Sequence, residues 1–143
     1  MTIQEFIQWM QDATDKMENL DYRPGMKICQ SIMRQKQNSN FAQSQTADGQ
    51  KWKPRKDKEP HPLLILTGKM KNALIVGDGG YEDNSPTHLT WGIDSGEVPY
   101  AAIQQFGNEK VPARPFVEIN DETADLAAEA LAKWFVKEVF GDL

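Results

Sequence analysis

Cysteine, histidine and long hydrophobic runs are scarce in this sequence, and each scarcity narrows the possible classes of protein. Cys29 is the only cysteine among the 143 residues, so an internal disulfide is excluded and folding in a reducing, cytosolic compartment is expected. No run of about 18 apolar residues occurs, and the sequence therefore predicts no membrane-spanning helix. The charged side chains of the first twelve residues are acidic, which is unlike a secretory signal peptide.

Residues at the spacing of an enzyme active site are also missing from the sequence. The two histidines, His61 and His88, have no partner at a zinc-ligand spacing, and no Gly-x-Ser-x-Gly motif occurs. Gly68-Lys69 lacks both the upstream glycine and the following Ser or Thr of a phosphate-binding loop. A two-metal nuclease would use carboxylates such as Asp78, Glu82, Asp83, Asp94 and Glu97. No general base stands in a recognisable relation to them, so we expect no enzyme activity, no cofactor and no metal.

Charge is unevenly distributed along the chain. The net charge is −5, from 16 basic and 21 acidic residues, which argues against a general nucleic-acid-coating protein. Residues 51–58 nevertheless hold five basic side chains and one acidic side chain, whereas residues 118–143 hold two basic and seven acidic ones. The basic segment could contact DNA through phosphates and stacking, using Lys51, Lys53, Arg55, Lys56 and Lys58. It also suits docking on an acidic protein surface, which the acidic end of the chain favours.

Apolar spacing predicts two helices at the beginning of the chain. The first covers about residues 2–20, with Thr2 and Glu5 as a capping box. Its apolar stripe consists of Ile3, Phe6, Ile7, Met10, Met17 and Leu20. The second covers about residues 24–38, after a break at Pro24-Gly25. Two consecutive helices with a short break predict an antiparallel helical hairpin.

The helical pattern stops between residues 40 and 62, which predicts a long, basic loop. Loops of this length are uncommon in compact domains unless they are functional or disordered. Phe41 and Trp52 are of a residue type that disordered linkers usually lack. We therefore expect the loop to be pinned at these two residues, or to become pinned when copies assemble. Trp52 is the preferred interface anchor, because its neighbours show no apolar pattern.

The rest of the sequence predicts a small antiparallel sheet with a short inserted helix, followed by a C-terminal helix. A helical turn is expected over residues 69–73, strands over 74–76, 89–93 and 116–119, and a short helix between Pro99 and Gly107. Asn120 is expected to cap the last helix, whose core face includes Leu126, Ala130, Leu131, Trp134 and Phe135.

The fold class predicted from these elements is α+β, in a single domain over residues 1–143. The domain is divided into a helical arm (1–39), the long basic loop (40–62), the small sheet with its short helix (63–120) and the C-terminal helix (121–143).

Four local motifs stand in a distinctive order between Phe41 and Asp121. Phe41 is followed by Ala-Asp-Gly-x-x-Trp over residues 47–52 and by Leu-Thr-Gly-x-Met-x-x-Ala-Leu over residues 66–74. Tyr-Ala-x-Ile-Gln-Gln-Phe-Gly then occupies residues 100–107, and Val-Pro-Ala-Arg-Pro-Phe occupies residues 111–116. In this order and spacing the motifs resemble the bacteriophage virion morphogenesis family, also called the tail completion or tail S family.

The resemblance implies a structural, non-enzymatic role at the upper end of a phage tail or at the head–tail junction. Such proteins help to finish the tail so that it joins a filled head. The implied partners are further copies of the chain in a ring and other tail or neck proteins. The implied location is the virion, after assembly in the host cytoplasm.

The motifs and the basic segment supply the candidate interface residues, and the motifs supply the turn residues. The candidate interface comprises Phe41, Trp52, Lys53, Arg55, Tyr100, Gln105, Phe106, Arg114 and Phe116. The expected turn-forming residues are Gly49, Gly68, Gly107, Pro112 and Pro115. Tyr100 and Phe106 are expected to bury against the sheet from one face of the short helix. Arg114 is expected to pair with a carboxylate, either within the chain or on a neighbouring copy.

Overall fold

Residues 1–141, which the computed structural model describes, form five helices and one two-stranded antiparallel sheet. The predicted α+β class is confirmed. In chain order the elements are α1 (Ile3–Glu18), α2 (Arg23–Gln43), α3 (Lys69–Ile75), β1 (Gly80–Asn84), β2 (Leu89–Ile93), α4 (Ala101–Phe106) and α5 (Asp121–Phe140).

Helix α1 begins at the predicted cap and packs on α5. The Thr2 hydroxyl accepts a hydrogen bond from the Glu5 amide at 3.1 Å, and the Glu5 carboxylate accepts one from the Thr2 amide at 2.6 Å. The ring of Trp9 lies 5.6 Å from the ring of Phe140 in α5, and Ala13 is buried. Helix α5 is also the main packing partner of α2, so the predicted helical hairpin is revised to two N-terminal helices that share α5.

Helix α2 continues past its predicted end at residue 38 to Gln43. Its last turns bury Gln37, Asn40 and Phe41, which recur at helical spacing although two of them are polar. Because two of the buried positions are polar, the sequence shows no apolar spacing that would predict a helix in this stretch. Phe41 consequently lies in a helix and not in the loop, and the helix ends where Ser44 adopts a left-handed φ of 51°.

The contact between α2 and α5 depends on a close approach at Gly25. A Cβ atom on Gly25 would lie 2.5 Å from Cε3 of Trp134 and 2.8 Å from Cδ1 of Leu131. One helical turn further along α2, the Cys29 thiol donates to the carbonyl of Ala127 at 3.3 Å. Burial raises the pKa of this thiol, as expected for a packed cysteine.

Helix α5 has the predicted bounds and cap, and its predicted core face is correct at Leu131, Trp134 and Phe135 but not at Leu126. Asn120 caps it by accepting a hydrogen bond from the Thr123 amide at 2.9 Å. The buried residues of α5 are Thr123, Ala127 and Val139. Leu126, which the sequence assigned to the core face, is 51% exposed, so that assignment is wrong. The reason is that α5 presents its small residue Ala127 to α2, where the two helices lie close together.

The sheet is smaller than predicted. Strand β2 has the predicted bounds and pairs with β1, with Gly80 opposite Ile93 and Asn84 opposite Leu89. The predicted strand at residues 74–76 is wrong, because Leu74 belongs to α3, which packs one face into the core.

The third predicted strand, at residues 116–119, is also absent from the described residues. The amides of Phe116 and Val117 donate to Oε1 of Gln105 at 2.8 and 2.9 Å. A single side chain thus takes the hydrogen bonds that a neighbouring strand would otherwise accept, so this segment remains extended without joining the sheet.

The hydrophobic core joins α2, α3, the loop and the segment before α5. Its buried members are Phe41, Trp52, Met70, Ala73, Leu74, Val98, Ala101 and Phe116. The Phe41 ring lies 5.5 Å from the Trp52 ring in an edge-on arrangement and 5.7 Å from the Phe116 ring. These three aromatics were placed in the candidate interface, and the structure corrects that placement. They form the core because the loop folds back over α2.

Candidate interaction surface

Residues 51–58 carry the basic side chains of the predicted long loop, and we call this shorter segment the basic loop. It begins as an ordered turn attached to the core. Lys51 forms an isolated antiparallel bridge with Gln45, and its ammonium donates to the Gln43 carbonyl at 2.6 Å. Trp52 follows with its side chain buried, and its indole Nε1 donates to the Pro115 carbonyl at 2.7 Å. The indole is therefore not available for stacking on a nucleic-acid base. Lys53, Lys56 and Lys58 are exposed.

Arg114 fastens the next part of the loop to the segment between the two prolines. Its Nε donates to the Lys53 carbonyl at 2.9 Å, and its Nη2 donates to the Pro54 carbonyl at 3.3 Å. The predicted carboxylate partner is therefore replaced by two backbone carbonyls within the chain. Pro112 and Pro115 flank Arg114, and the extended backbone between them carries the guanidinium to the loop.

Arg55 organises the tip of the basic loop. Its guanidinium donates to the Asp57 carboxylate at 3.0 Å and to the His61 carbonyl at 2.8 Å. The hydrogen bond from Arg55 lowers the pKa of Asp57 below its ordinary value. Arg55 thus holds the loop tip against the chain that follows it, while its charge remains part of the surface.

The short helix α4 exposes its aromatic residues instead of burying them. Phe106 is 77% exposed and Tyr100 also lies at the surface, so their predicted burial against the sheet is wrong. The helix has only six residues, and its anchoring side chains are the buried Ala101 and the hydrogen-bonded Gln105. The two aromatics are free to contact another molecule.

Three of the expected turn glycines adopt left-handed backbone angles. The φ values are 85° at Gly49, 81° at Gly68 and 71° at Gly107. At Gly107 the requirement is also steric, because a Cβ atom would lie 2.6 Å from the Ala113 amide nitrogen. The turn at Gly107 thereby brings the end of α4 against the proline segment that holds Arg114.

A groove opens between the basic loop, the chain after it and the proline segment. We call it the basic groove, and its volume is about 720 Å³. The apolar part of its lining consists of Leu63, Leu64, Ile65, Leu66, Met70, Tyr100, Val111 and Pro112. Its charged lining consists of Arg55, Lys56, Lys69, Lys110 and Arg114, against one carboxylate from Asp57. Three of the predicted interface residues, Arg55, Tyr100 and Arg114, therefore meet in this groove.

The candidate list omitted an apolar surface on α1. We call it the α1 stripe, and it comprises Ile3, Phe6, Ile7 and Met10, all of which are exposed. Ile3 is 75% exposed and Phe6 is 50% exposed, whereas the adjoining face of the helix packs on α5 through Trp9 and Ala13. The apolar spacing was visible in the sequence, but spacing alone does not show which apolar residues an adjacent element covers.

Two carboxylates of strand β1, those of Glu82 and Asp83, make local contacts. Glu82 accepts from the Lys27 ammonium at 2.7 Å and from the buried Gln30 amide at 2.6 Å. These two hydrogen bonds lower the pKa of Glu82. Asp83 lies 3.0 Å from His88, measured between Oδ2 and Nε2. Within residues 1–141 no cluster of three His, Cys, Asp or Glu side chains has the geometry of a metal site.

No helix among the described residues has the length and apolar character needed to cross a membrane.

The chain was compared with protein families, with curated proteins and with solved structures. Neither the curated proteins nor the solved structures include a match to this chain. The model of the phage virion morphogenesis family matches residues 1–136, which extends the similarity beyond the motif region and through both flanking helical regions. The chain therefore belongs to the phage virion morphogenesis family.

Proposed function

We propose that this protein completes the phage tail or joins it to the head, as a non-enzymatic structural component. The observation that carries the proposal is the family match over residues 1–136, which indicates a role in virion assembly. The finer role, in tail completion or head–tail joining, is supported by the resemblance of the four motifs between Phe41 and Asp121 to the tail completion proteins.

The surface of the chain supports assembly through protein contacts. The α1 stripe, Phe106 and Leu66 leave a large part of their apolar surface exposed. Exposed apolar patches on proteins of this size commonly mark sites of protein–protein contact. We propose that copies of the chain associate with one another in a ring, and that the ring binds other tail or neck proteins.

Deletion of the gene from the parent phage tests the proposed function. Electron microscopy of the lysate is expected to show DNA-filled heads beside separate or misfinished tails. Expression of the wild-type chain from a plasmid is the matched control, and it is expected to restore joined particles. Intact, infectious particles without any supply of the protein would contradict the proposal.

The exposed lysines of the basic loop support a second, weaker proposal, which is direct contact with DNA. Lys53, Lys56 and Lys58 present three cations on one short segment. Because Trp52 is buried, such contact would use phosphates alone, and its affinity would fall steeply with salt. A chain with Lys53, Lys56 and Lys58 changed to Ala should then bind DNA more weakly, with a shallower salt dependence. Absence of DNA binding by the wild type at low salt would exclude this second proposal.

A further inference from the structure

The basic groove combines two properties that define its ligand. Its apolar lining includes Leu66, which is 74% exposed, and Tyr100, which is also exposed, so burial of this surface would favour association. Its five cationic side chains stand against the single carboxylate of Asp57. A matching ligand therefore has an apolar face bordered by acidic groups, as in an acidic amphipathic helix.

Helix α1 has both of these properties. The α1 stripe places Ile3, Ile7 and Met10 at i, i+4 and i+7, with Phe6 beside them. The helix carries the acidic residues Glu5, Asp12, Asp15 and Glu18, against the single basic residue Lys16. Asp15 lies at the same shallow hollow as Phe6, Ile7 and Met10, so a carboxylate directly borders the apolar face.

We propose that the α1 stripe of one copy docks in the basic groove of a second copy. The proposal rests on the self-association included in the proposed function and names the two surfaces that meet. Pairing of two α1 helices with each other is less favourable, because it would bring two acidic helices together. The acidic start of α5 is a weaker occupant, because Leu126 is the only large apolar residue in the sequence of residues 121–128.

Contact between two different surfaces has a geometric consequence. Each copy offers its own α1 to one neighbour and its groove to another, so the contact is head-to-tail. Repetition of a head-to-tail contact gives a closed ring when the rotation closes, and an open filament when it does not. The inferred contact is therefore of the kind that a ring-forming protein requires.

Two variants of the full chain separate the two surfaces. The α1 variant carries Phe6→Asp and Met10→Asp, and the groove variant carries Lys69→Glu and Lys110→Glu. All four residues lie outside the buried core, and all four side chains are exposed. The matched control is Lys36→Glu with Lys133→Glu, which makes the same charge change outside the groove. Circular dichroism verifies that each variant is folded.

Mass photometry and sedimentation velocity then measure association. The wild type and the control are expected to form the same oligomer, and each single-surface variant is expected to associate about 10- to 100-fold more weakly. An equimolar mixture of the two variants retains one intact α1 and one intact groove. The mixture is therefore expected to form a heterodimer and nothing larger. If copies were instead joined through identical surfaces, mixing the two variants would not restore a dimer.

A charge exchange provides an independent readout. Asp15→Lys with Glu18→Lys is expected to weaken association, and Lys69→Glu with Lys110→Glu in the same chain is expected to restore it in part. Association of either single-surface variant with the affinity of the wild type would overturn the inference. So would a wild-type chain that stays monomeric, or groove lysines whose reversal abolishes DNA binding but leaves the oligomer unchanged.

The outcomes also distinguish this inference from the proposed function. A deletion phage with unjoined heads and tails, combined with association that is insensitive to the α1 and groove variants, would retain the function and refute the contact. An infectious deletion phage, combined with a heterodimer in the mixing experiment, would refute the function and retain the contact.

Discussion

Trp52 shows at the scale of one residue how the basic loop is attached to the fold. Its ring packs edge-on against Phe41, and its Nε1 donates to the Pro115 carbonyl. The residue that precedes it and the residue that follows it are exposed lysines. The buried Trp52 side chain therefore attaches the basic loop to the core, while the lysines on either side of it remain exposed.

Truncation of Trp52 tests its role in the core. Trp52→Ala is expected to lower the free energy of unfolding by about 3–5 kcal/mol, because a large buried ring is lost. Trp52→Phe keeps a ring and leaves the Pro115 carbonyl without its donor, so a smaller loss of about 1–3 kcal/mol is expected. Urea denaturation measures both changes, and the exposed Lys53→Ala is the control, within about 0.5 kcal/mol of wild type. Unchanged stability in Trp52→Ala would show that the indole is not a core residue.

At the scale of elements, Glu82 ties β1 to α2. Its carboxylate accepts hydrogen bonds from Lys27 and from the buried Gln30, and both lower its pKa. A carboxylate with a lowered folded-state pKa contributes stability above its unfolded pKa. That contribution is lost as the pH falls through the lower, folded-state pKa.

The Glu82 contacts therefore predict a pH dependence of stability. Glu82→Gln is expected to lower the free energy of unfolding by about 1 kcal/mol at pH 7. The difference from wild type is expected to shrink as the pH falls below the ordinary glutamate pKa of 4.5. Denaturation at a series of pH values measures this difference, with the exposed Glu97→Gln as control. A difference that stays constant down to pH 3 would contradict the assignment.

The basic loop gives a prediction about exchange with solvent. The Trp52 amide donates to the Ser44 carbonyl at 2.8 Å, whereas the next part of the loop is held mainly through its carbonyls by Arg114. In a monomeric variant, amides from Arg55 to Lys58 are expected to exchange fast and the Trp52 amide slowly. Assembly is expected to protect the loop amides, because the loop borders the basic groove. Hydrogen exchange that is identical in monomer and oligomer would rule out a contact at this loop.

The elements also show what the sequence could predict. The cap at Thr2, the bounds of α5 and the bounds of β2 follow from local signals, and the structure has all three. Strand β1 has the sequence Gly-Tyr-Glu-Asp-Asn, which shows no apolar alternation, and its register is set by pairing with β2. Such pairing is a tertiary effect that a single segment does not encode.

The candidate site was predictable only in part, for the same physical reason. Arg55, Tyr100 and Arg114 were identified from charge and motif, and they meet in the basic groove. Trp52 was predicted as an interface anchor but is buried, whereas the α1 stripe was not among the predicted interface residues but is exposed. The indole is buried although its neighbours are polar, and the stripe is exposed although its spacing is that of a core helix. Which apolar residues are covered depends on how distant elements pack, and local spacing carries no such information.

At the scale of the whole molecule, the fold separates two complementary surfaces. Helix α1 contacts the rest of the chain through one side and leaves an apolar, acid-bordered stripe exposed. The basic groove lies among the loop, the start of α3 and the proline segment, and it carries the opposite charge. A molecule with two different complementary surfaces can join copies in sequence, as the proposed structural role requires.

Cryo-electron microscopy of the purified parent virion tests the proposed position of the protein. We expect several copies of this chain arranged in a ring at the end of the tail that meets the head. The corresponding density should be missing from tails produced by the deletion phage and should return when the wild-type gene is supplied. A mature virion in which this chain is absent, or is spread along the length of the tail, would contradict the account.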